Sequence, residues 1–199
     1  MARAMSNPAS VSLDQLFLQA RTANKFLDKP VEDALLVRIH DLMRWAPTSA
    51  NCNPLRIVFV RTQEAKARLL SCMAPGNVAK TQSAPVTAIL AMDMRFHDRL
   101  WQLFPHVDAK AWFEGNAKAI EETAMRNSSL QAAYFMLAAR SLGLDCGPMS
   151  GFHADAVQQA FLGGTTWKVN LLCNLGYGDA SALHPRLPRL SFEEACKLI

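Results

Sequence analysis

The chain has 199 residues, half of them hydrophobic and 19% charged, which suits a single domain with a substantial core and excludes a disordered chain. Its formal charge of +4, from 21 Lys and Arg against 17 Asp and Glu, is mild and unclustered, so nucleic acid is not an expected partner. No apolar run approaches the roughly 20 residues that cross a bilayer, and Met1–Pro8 lacks the apolar centre of a secretory signal, so no membrane contact and a cytoplasmic location are expected.

Ser12-Leu13-Asp14-Gln15 has the form of a capping box and predicts a helix to about Thr22, with Leu13, Leu16, Phe17 and Ala20 on one side. Arg21–Phe26 leaves that helix. Pro30 precedes a second helix predicted over Val31–Ala46, with Leu35, Ile39, Leu42 and Met43 at helical spacing, and Pro47 stops it. Pro47–Pro54 (PTSANCNP) is a polar turn of short hydrogen-bonding side chains, and Leu55–Arg61 (LRIVFVR) reads as a strand. Gln63–Met73 is a short amphipathic helix broken by Pro75-Gly76-Asn77. Pro85–Met92 (PVTAILAM) is a continuous apolar run of strand length, expected at the centre of a sheet. Asp93–Gly115 is irregular and aromatic, and both a flap over a site and a peripheral packing layer fit it.

Glu121–Phe152 opens with a long helix that carries few polar side chains: between Ser128 and Gly143 these are Ser129, Gln131, Arg140 and Ser141. A helix that apolar is normally covered on most sides. Gly143 ends it, and Gly147-Pro148-Met149-Ser150-Gly151-Phe152 reads as a tight loop in which backbone can approach a ligand. Ala154–Leu162 is a short helix and Trp167–Leu175 (WKVNLLCNL) a further strand. The tail turns through Pro185 and Pro188 and closes with a capping box at Ser191–Glu194. The whole chain, 1–199, therefore predicts one domain, an α+β or α/β layered fold on a small sheet.

Two local motifs mislead. Gly176-Tyr177-Gly178 follows a strand like a dinucleotide fingerprint, but the second strand and acidic residue that fingerprint needs have no room in the tail. Met149-Ser150-Gly151 imitates a nucleophile elbow, yet Pro148 stands where its first glycine belongs. Cys52, Cys72, Cys146, Cys173 and Cys196 are scattered and odd in number, so reduced, mostly buried thiols are expected, with no metal site.

Several weaker motifs occur in a fixed order. Arg21-x-x-x-Lys25 precedes Pro47-Thr48-Ser49-Ala50-Asn51; Asn77-x-x-Lys80 comes before Ala84-Pro85-Val86; Gly147–Phe152 follows the long helix; and Arg186-x-x-Arg189 leads into the last capping box. In this order and spacing the chain resembles the FMN-dependent nitroreductase family along essentially its whole length. The segments APTSAN, RNSSLQAAY, GLDCGPMSGF, LGYGD and RLPRLSFEEA are most similar to the malonic semialdehyde reductase-like branch associated with pyrimidine degradation.

The resemblance favours α+β and implies a homodimer with a small, mixed, mostly antiparallel sheet and FMN at the subunit interface. It also implies NADH or NADPH as reductant, and a small electron-poor acceptor such as malonic semialdehyde, a quinone or a nitroaromatic. By that resemblance Arg21, Arg186 and Arg189 face the FMN phosphate, beside Thr22 and Ala23, and a guanidinium fork suits a dianion. Ala23 replaces a frequent phosphate-binding Ser. Lys25 and Lys80 match positions that stabilise negative charge on reduced flavin, and Asn77 matches one that bonds the pyrimidine edge. Pro47, Thr48, Ser49 and Asn51 match a segment touching the partner subunit's flavin. Pro148, Met149, Ser150 and Gly151 match the wall at flavin N5, with Ser150 where many relatives have Glu. Trp101, Phe104 and Phe113 are expected on the substrate side. No side chain is expected to act as a dedicated acid or base, because the cofactor carries the chemistry. A flavin-binding or regulatory protein of the same fold is the alternative.

Overall fold

The computed structural model describes residues 11–199. Its sheet is built from β1 (Leu55–Val60), β2 (Val86–Asp93), β3 (Asp145–Met149) and β4 (Trp167–Gly176). All neighbours are antiparallel in the order β1-β2-β4-β3, so β1 and β3 are the two edges. Every residue of β2 is buried, as its unbroken apolar run predicts.

Around this sheet lie α1 (Asp33–Met43), α2 (Gln63–Leu70), α3 (Pro75–Ser83), α4 (Leu100–Leu103), α5 (Ala117–Ser141), α6 (Ala154–Phe161) and α7 (Phe192–Ala195). The sheet's alternation divides the core in two. Ala88 and Leu90 of β2 face α1 and α5, where Ile39, Met43, Phe135 and Ala139 are buried. Ile89 and Ala91 face the other way, onto Leu69 of α2 and Val157 of α6. A third cluster packs Phe96, Leu100 and Phe113 around Met92 and Ala124.

Four predicted elements need correction. The first helix is only a wide turn over Asp14–Leu18, with Ser12 Oγ accepting from Gln15 N. Leu13, Phe17 and Leu18 stay exposed, because their apolar side meets no neighbour in the single chain. The helix predicted over Gln63–Met73 does stop before Pro75, at Leu70, but Pro75 also opens a helix the sequence reading lacked, at the first position of α3, where its missing N–H costs nothing. The presumed loop Gly147–Phe152 begins as an edge strand: β3 includes Gly147 and Pro148, and an edge tolerates proline. The long helix begins at Ala117, capped by the Asn116 side chain. It is covered on one side only, since Met125, Leu130 and Tyr134 are exposed. Its end at Gly143 is as predicted, with φ of 80° there and Leu144 N bonded back to Ala139 O.

Candidate functional site

The extended segment after the first turn is drawn onto the sheet's β3 edge. Thr22 bridges Cys146, Ala23 N donates to Cys146 O at 3.0 Å, Phe26 bridges Gly178, and Leu27 N donates to Tyr177 O at 2.8 Å. Gly147 makes this approach possible. A Cβ there would stand 2.7 Å from the Ala23 carbonyl oxygen, a backbone atom that cannot step aside. Thr22, Ala23 and Lys25 are thereby fixed beside β3. Ala23 itself is buried and its N–H is spent on Cys146, so it serves as framework.

From the other side α3 closes on the end of β3. Asn77 Nδ2 donates to Gly151 O at 2.7 Å, and Ala74 N donates to the same carbonyl at 3.1 Å. A Cβ on Gly151 would lie 2.4 Å from Asn77 Nδ2, so a side chain there would push the Asn77 amide out of its present position. Lys80 is one helical turn beyond Asn77 and shares its face. Phe26 N donates to Ser83 Oγ, which donates to Lys80 O, joining the Lys25 segment to the end of α3.

A fully buried polar chain holds α3 to the sheet. Thr87 Oγ1 donates to Asn174 Oδ1 at 2.7 Å, Asn174 Nδ2 to Thr81 Oγ1 at 3.3 Å, and Thr81 Oγ1 to Met149 Sδ at 3.6 Å. Sequence reasoning missed Thr81, Thr87 and Asn174; the only signal for Thr87 and Asn174 was polarity inside apolar strands, and Thr81, in a polar stretch, had none. The Met149 side chain faces this chain and is buried, so only its backbone is presented outward. Pro148 is half-buried, and Ser150 is exposed.

Of the predicted arginines, two join in one clasp. Arg21 donates to His184 O, and Arg186 Nη2 to Leu18 O at 2.6 Å and Ala20 O at 3.3 Å. Arg189 stays apart, bonded to the carbonyls of its neighbours Leu187 and Pro188.

The turn Pro47–Asn53 lies elsewhere. It leads into β1, the edge opposite β3, and three strand spacings of roughly 4.8 Å separate the two edges. Ala50, Asn51 and Asn53 hold φ of 49°, 49° and 40°, a left-handed run that needs outside support. Support comes from α5: Ser49 N donates to Asn127 Oδ1 at 2.8 Å, Gln131 Nε2 to Asn53 Oδ1 at 3.2 Å, and Leu55 N to Gln131 Oε1 at 2.9 Å. Asn53 N also donates to Thr48 Oγ1, while Arg56, paired with Asp93 at 2.8 Å, donates to Asn53 O. Asn51 Nδ2 reaches Leu103 O at 2.9 Å and lines a groove of about 950 Å³ along the unpaired edge of β1. Burial pushes the Cys52 thiol below this turn up to about 11, so it stays protonated.

The aromatic segment is mostly packing. Phe113 is buried edge-on to Phe96, and Phe104 leans on Trp112. Trp101 is 75% exposed, the one of the three predicted substrate-side residues that faces outward fully.

Residues 18–177 match the model of the nitroreductase family. A Polynucleobacter asymbioticus protein, whose name provisionally assigns it as NADH dehydrogenase/NAD(P)H nitroreductase, is 58% identical over 94% of this chain and 96% of its own. The chain belongs to the nitroreductase family. Solved nitroreductase-family structures share the fold. One from Streptococcus pneumoniae is 22% identical with a TM-score of 0.84, covering 94% of this chain and 100% of that one. Another, from Exiguobacterium sibiricum and solved in complex with FMN, is 19% identical with a TM-score of 0.83, covering 98% and 100%. The nitroreductase family assignment makes this chain an oxidoreductase of the NAD(P)H nitroreductase type. Among the described residues no helix is long and apolar enough to cross a membrane.

Proposed function

We propose that the protein is an FMN-dependent oxidoreductase that works as a cytoplasmic homodimer. The observation that carries this reading is that the Thr22–Lys25 segment and α3 close on the Gly147–Gly151 backbone from two sides, Ala23 against Gly147 and Asn77 bonded to Gly151 O, with Lys80 one helical turn beyond Asn77. The donor chemistry fits FMN. Lys25 and Lys80 supply positive charge for the pyrimidine end, and Asn77, which gives one N–H to Gly151 O, keeps its Oδ1 for a ligand N–H. The Arg21–Arg186 clasp supplies guanidinium N–H groups for the phosphate, with Thr22 between. Arg189 joins them only if the tail shifts from its own backbone contacts. Held there, FMN would supply the redox chemistry that links NADH or NADPH to a small acceptor.

The protein's own part is to bind, orient and preorganise charge. Backbone at Met149–Gly151 offers a flat wall, and Ser150 contributes a hydroxyl where a carboxylate would carry charge. The acceptor is malonic semialdehyde, reduced to 3-hydroxypropionate, ahead of a quinone or nitroaromatic; sequence likeness to that branch favours it. Our candidate to meet an acceptor is the exposed Trp101, on α4, which packs beside the Pro47–Asn53 turn.

Two observations support the dimer. Pro47, Thr48, Ser49 and Asn51 lie on the sheet edge opposite the proposed rim, so one chain alone does not bring both halves together. The tail leaves Leu187, Leu190, Phe192, Leu198 and Ile199 exposed, and the face of α5 leaves Met125, Leu130 and Tyr134 exposed. The test is cofactor uptake with size measurement: a dimer of twice 22.0 kDa that binds FMN stoichiometrically is expected. A monomer that binds no FMN would refute the reading. The exposed Ser150 favours one rival, a flavin carrier of the same fold, and steady NAD(P)H oxidation with an added acceptor separates the two.

A further inference from the structure

Lys25 does not stand alone at the rim. Its Nζ lies 3.0 Å from Asp179 Oδ2, and Asp179 N donates to Lys25 O at 2.9 Å, so the two residues are joined through both side chain and backbone. The other carboxylate oxygen is also occupied. Asp179 Oδ1 accepts from Ser181 N at 3.0 Å and from Ser181 Oγ at 2.6 Å. The neighbouring Gly178 N donates to Asp145 Oδ2 at 2.8 Å, which pins the turn to the start of β3. Asp179 is thus a fixed anion with a defined direction.

Lys80 differs. Among the described residues it forms no ion pair, and the ten residues before them contain no carboxylate side chain. Lys25, Asp179 and Lys80 together therefore present a net charge of one where two lysines alone would present two.

We propose that Asp179 is a tuning residue: a built-in counter-charge that halves the positive charge at the rim and so lowers the reduction potential of bound FMN. This rests on the FMN reading above. The hydrogen bonds from Ser181, first, and Lys25 hold the Asp179 carboxyl down at about 2, so the counter-charge is present at every pH at which the enzyme works. Its consequence is chemical. A rim of two unopposed cations would trap charge on the reduced cofactor and make it a weaker donor. One counter-charge keeps it strong enough for a carbonyl acceptor, which is harder to reduce than a quinone or a nitroarene.

The experiment is spectroelectrochemical titration of FMN-loaded wild type, D179N, K25M and the K25M/D179N pair. Asn retains the side-chain cap over Ser181, and D179S, a second capping variant, guards against misfolding of the first. D179N and D179S are expected to raise the preference for reduced over oxidised FMN about tenfold, about 30 mV for a two-electron couple. K25M is expected to lower it by a similar factor, and the double variant to return close to wild type. An unmoved potential in D179N and D179S, or a double variant as low as K25M, overturns the inference. A protein that takes up no FMN overturns the functional reading along with it, whereas loaded variants of unchanged potential sink this inference alone.

Discussion

Gln131 is the residue whose loss should report most clearly on the architecture of the Pro47–Asn53 turn. It is 3% exposed, on the apolar central helix, and both ends of its amide are engaged: Oε1 accepts from Leu55 N and Nε2 donates to Asn53 Oδ1. Gln131→Leu keeps the size and removes both bonds. Asn53 is half-buried and can turn to water, but Leu55 N is buried at the first residue of β1 and loses its partner. An orphaned buried amide costs about 1–3 kcal/mol, and the added apolar contact of Leu offsets part of that. A net loss of about 2 kcal/mol in unfolding free energy is expected, lowering Tm by about 4–8 °C for a chain of this size. Urea unfolding followed by circular dichroism measures it. A loss under about 0.5 kcal/mol would refute the assignment of Gln131 as the support of a left-handed turn. If the same turn touches FMN across a dimer, Q131L should also weaken FMN binding several-fold without altering Lys25 or Lys80.

Three further outcomes follow from the same contacts. Gly147→Ala places a Cβ against the Ala23 carbonyl and should cost about 2–3 kcal/mol by parting the Thr22–Cys146 bridge, with FMN retention falling alongside; full stability in G147A would contradict the close approach. Arg21→Ala should raise the FMN dissociation constant at least tenfold by removing a charge-assisted phosphate contact, and unchanged affinity would move that role to Arg186. Asp179 titrates at about 2 in the fold against an ordinary 3.8, so its stabilising links are complete above about pH 4 and vanish as pH falls through about 2. The wild-type advantage over D179N in an acid-unfolding series should follow that window, and an advantage that grows on acidification would contradict the sign.

Much of the fold was legible because β2 and β4 are long apolar runs, α1 has clear helical periodicity ahead of Pro47, and α5 is a long run with few polar side chains that ends at Gly143. Two of the misreadings involve a proline that the structure uses at a permitted place. Pro75 opens α3, and Pro148 sits on an edge strand. The Ser12 helix was extended too far because Leu13 and Phe17 mimic a buried face that this chain leaves open.

At the site, Lys25, Asn77, Lys80 and Gly147–Gly151 were expected through family likeness, and the Phe26–Ser83 and Asn77–Gly151 bonds tie together the segments that carry them. Arg189 is not brought there, and Ala23, Met149 and Phe113 are buried. Asp179, Asn127 and Thr81 escaped detection since their roles depend on partners far along the chain. Lys25 and Asp179 meet only because Phe26 bridges Gly178.

The central claim is that this rim holds FMN and that NADH or NADPH reduces it there. The most direct measurement is the visible spectrum of the purified protein supplied with FMN, before and after anaerobic NADH or NADPH, and again after malonic semialdehyde. A bound flavin spectrum that bleaches with the nicotinamide and returns with the aldehyde is the predicted result. A protein that remains colourless after FMN is added and the excess removed would contradict the account.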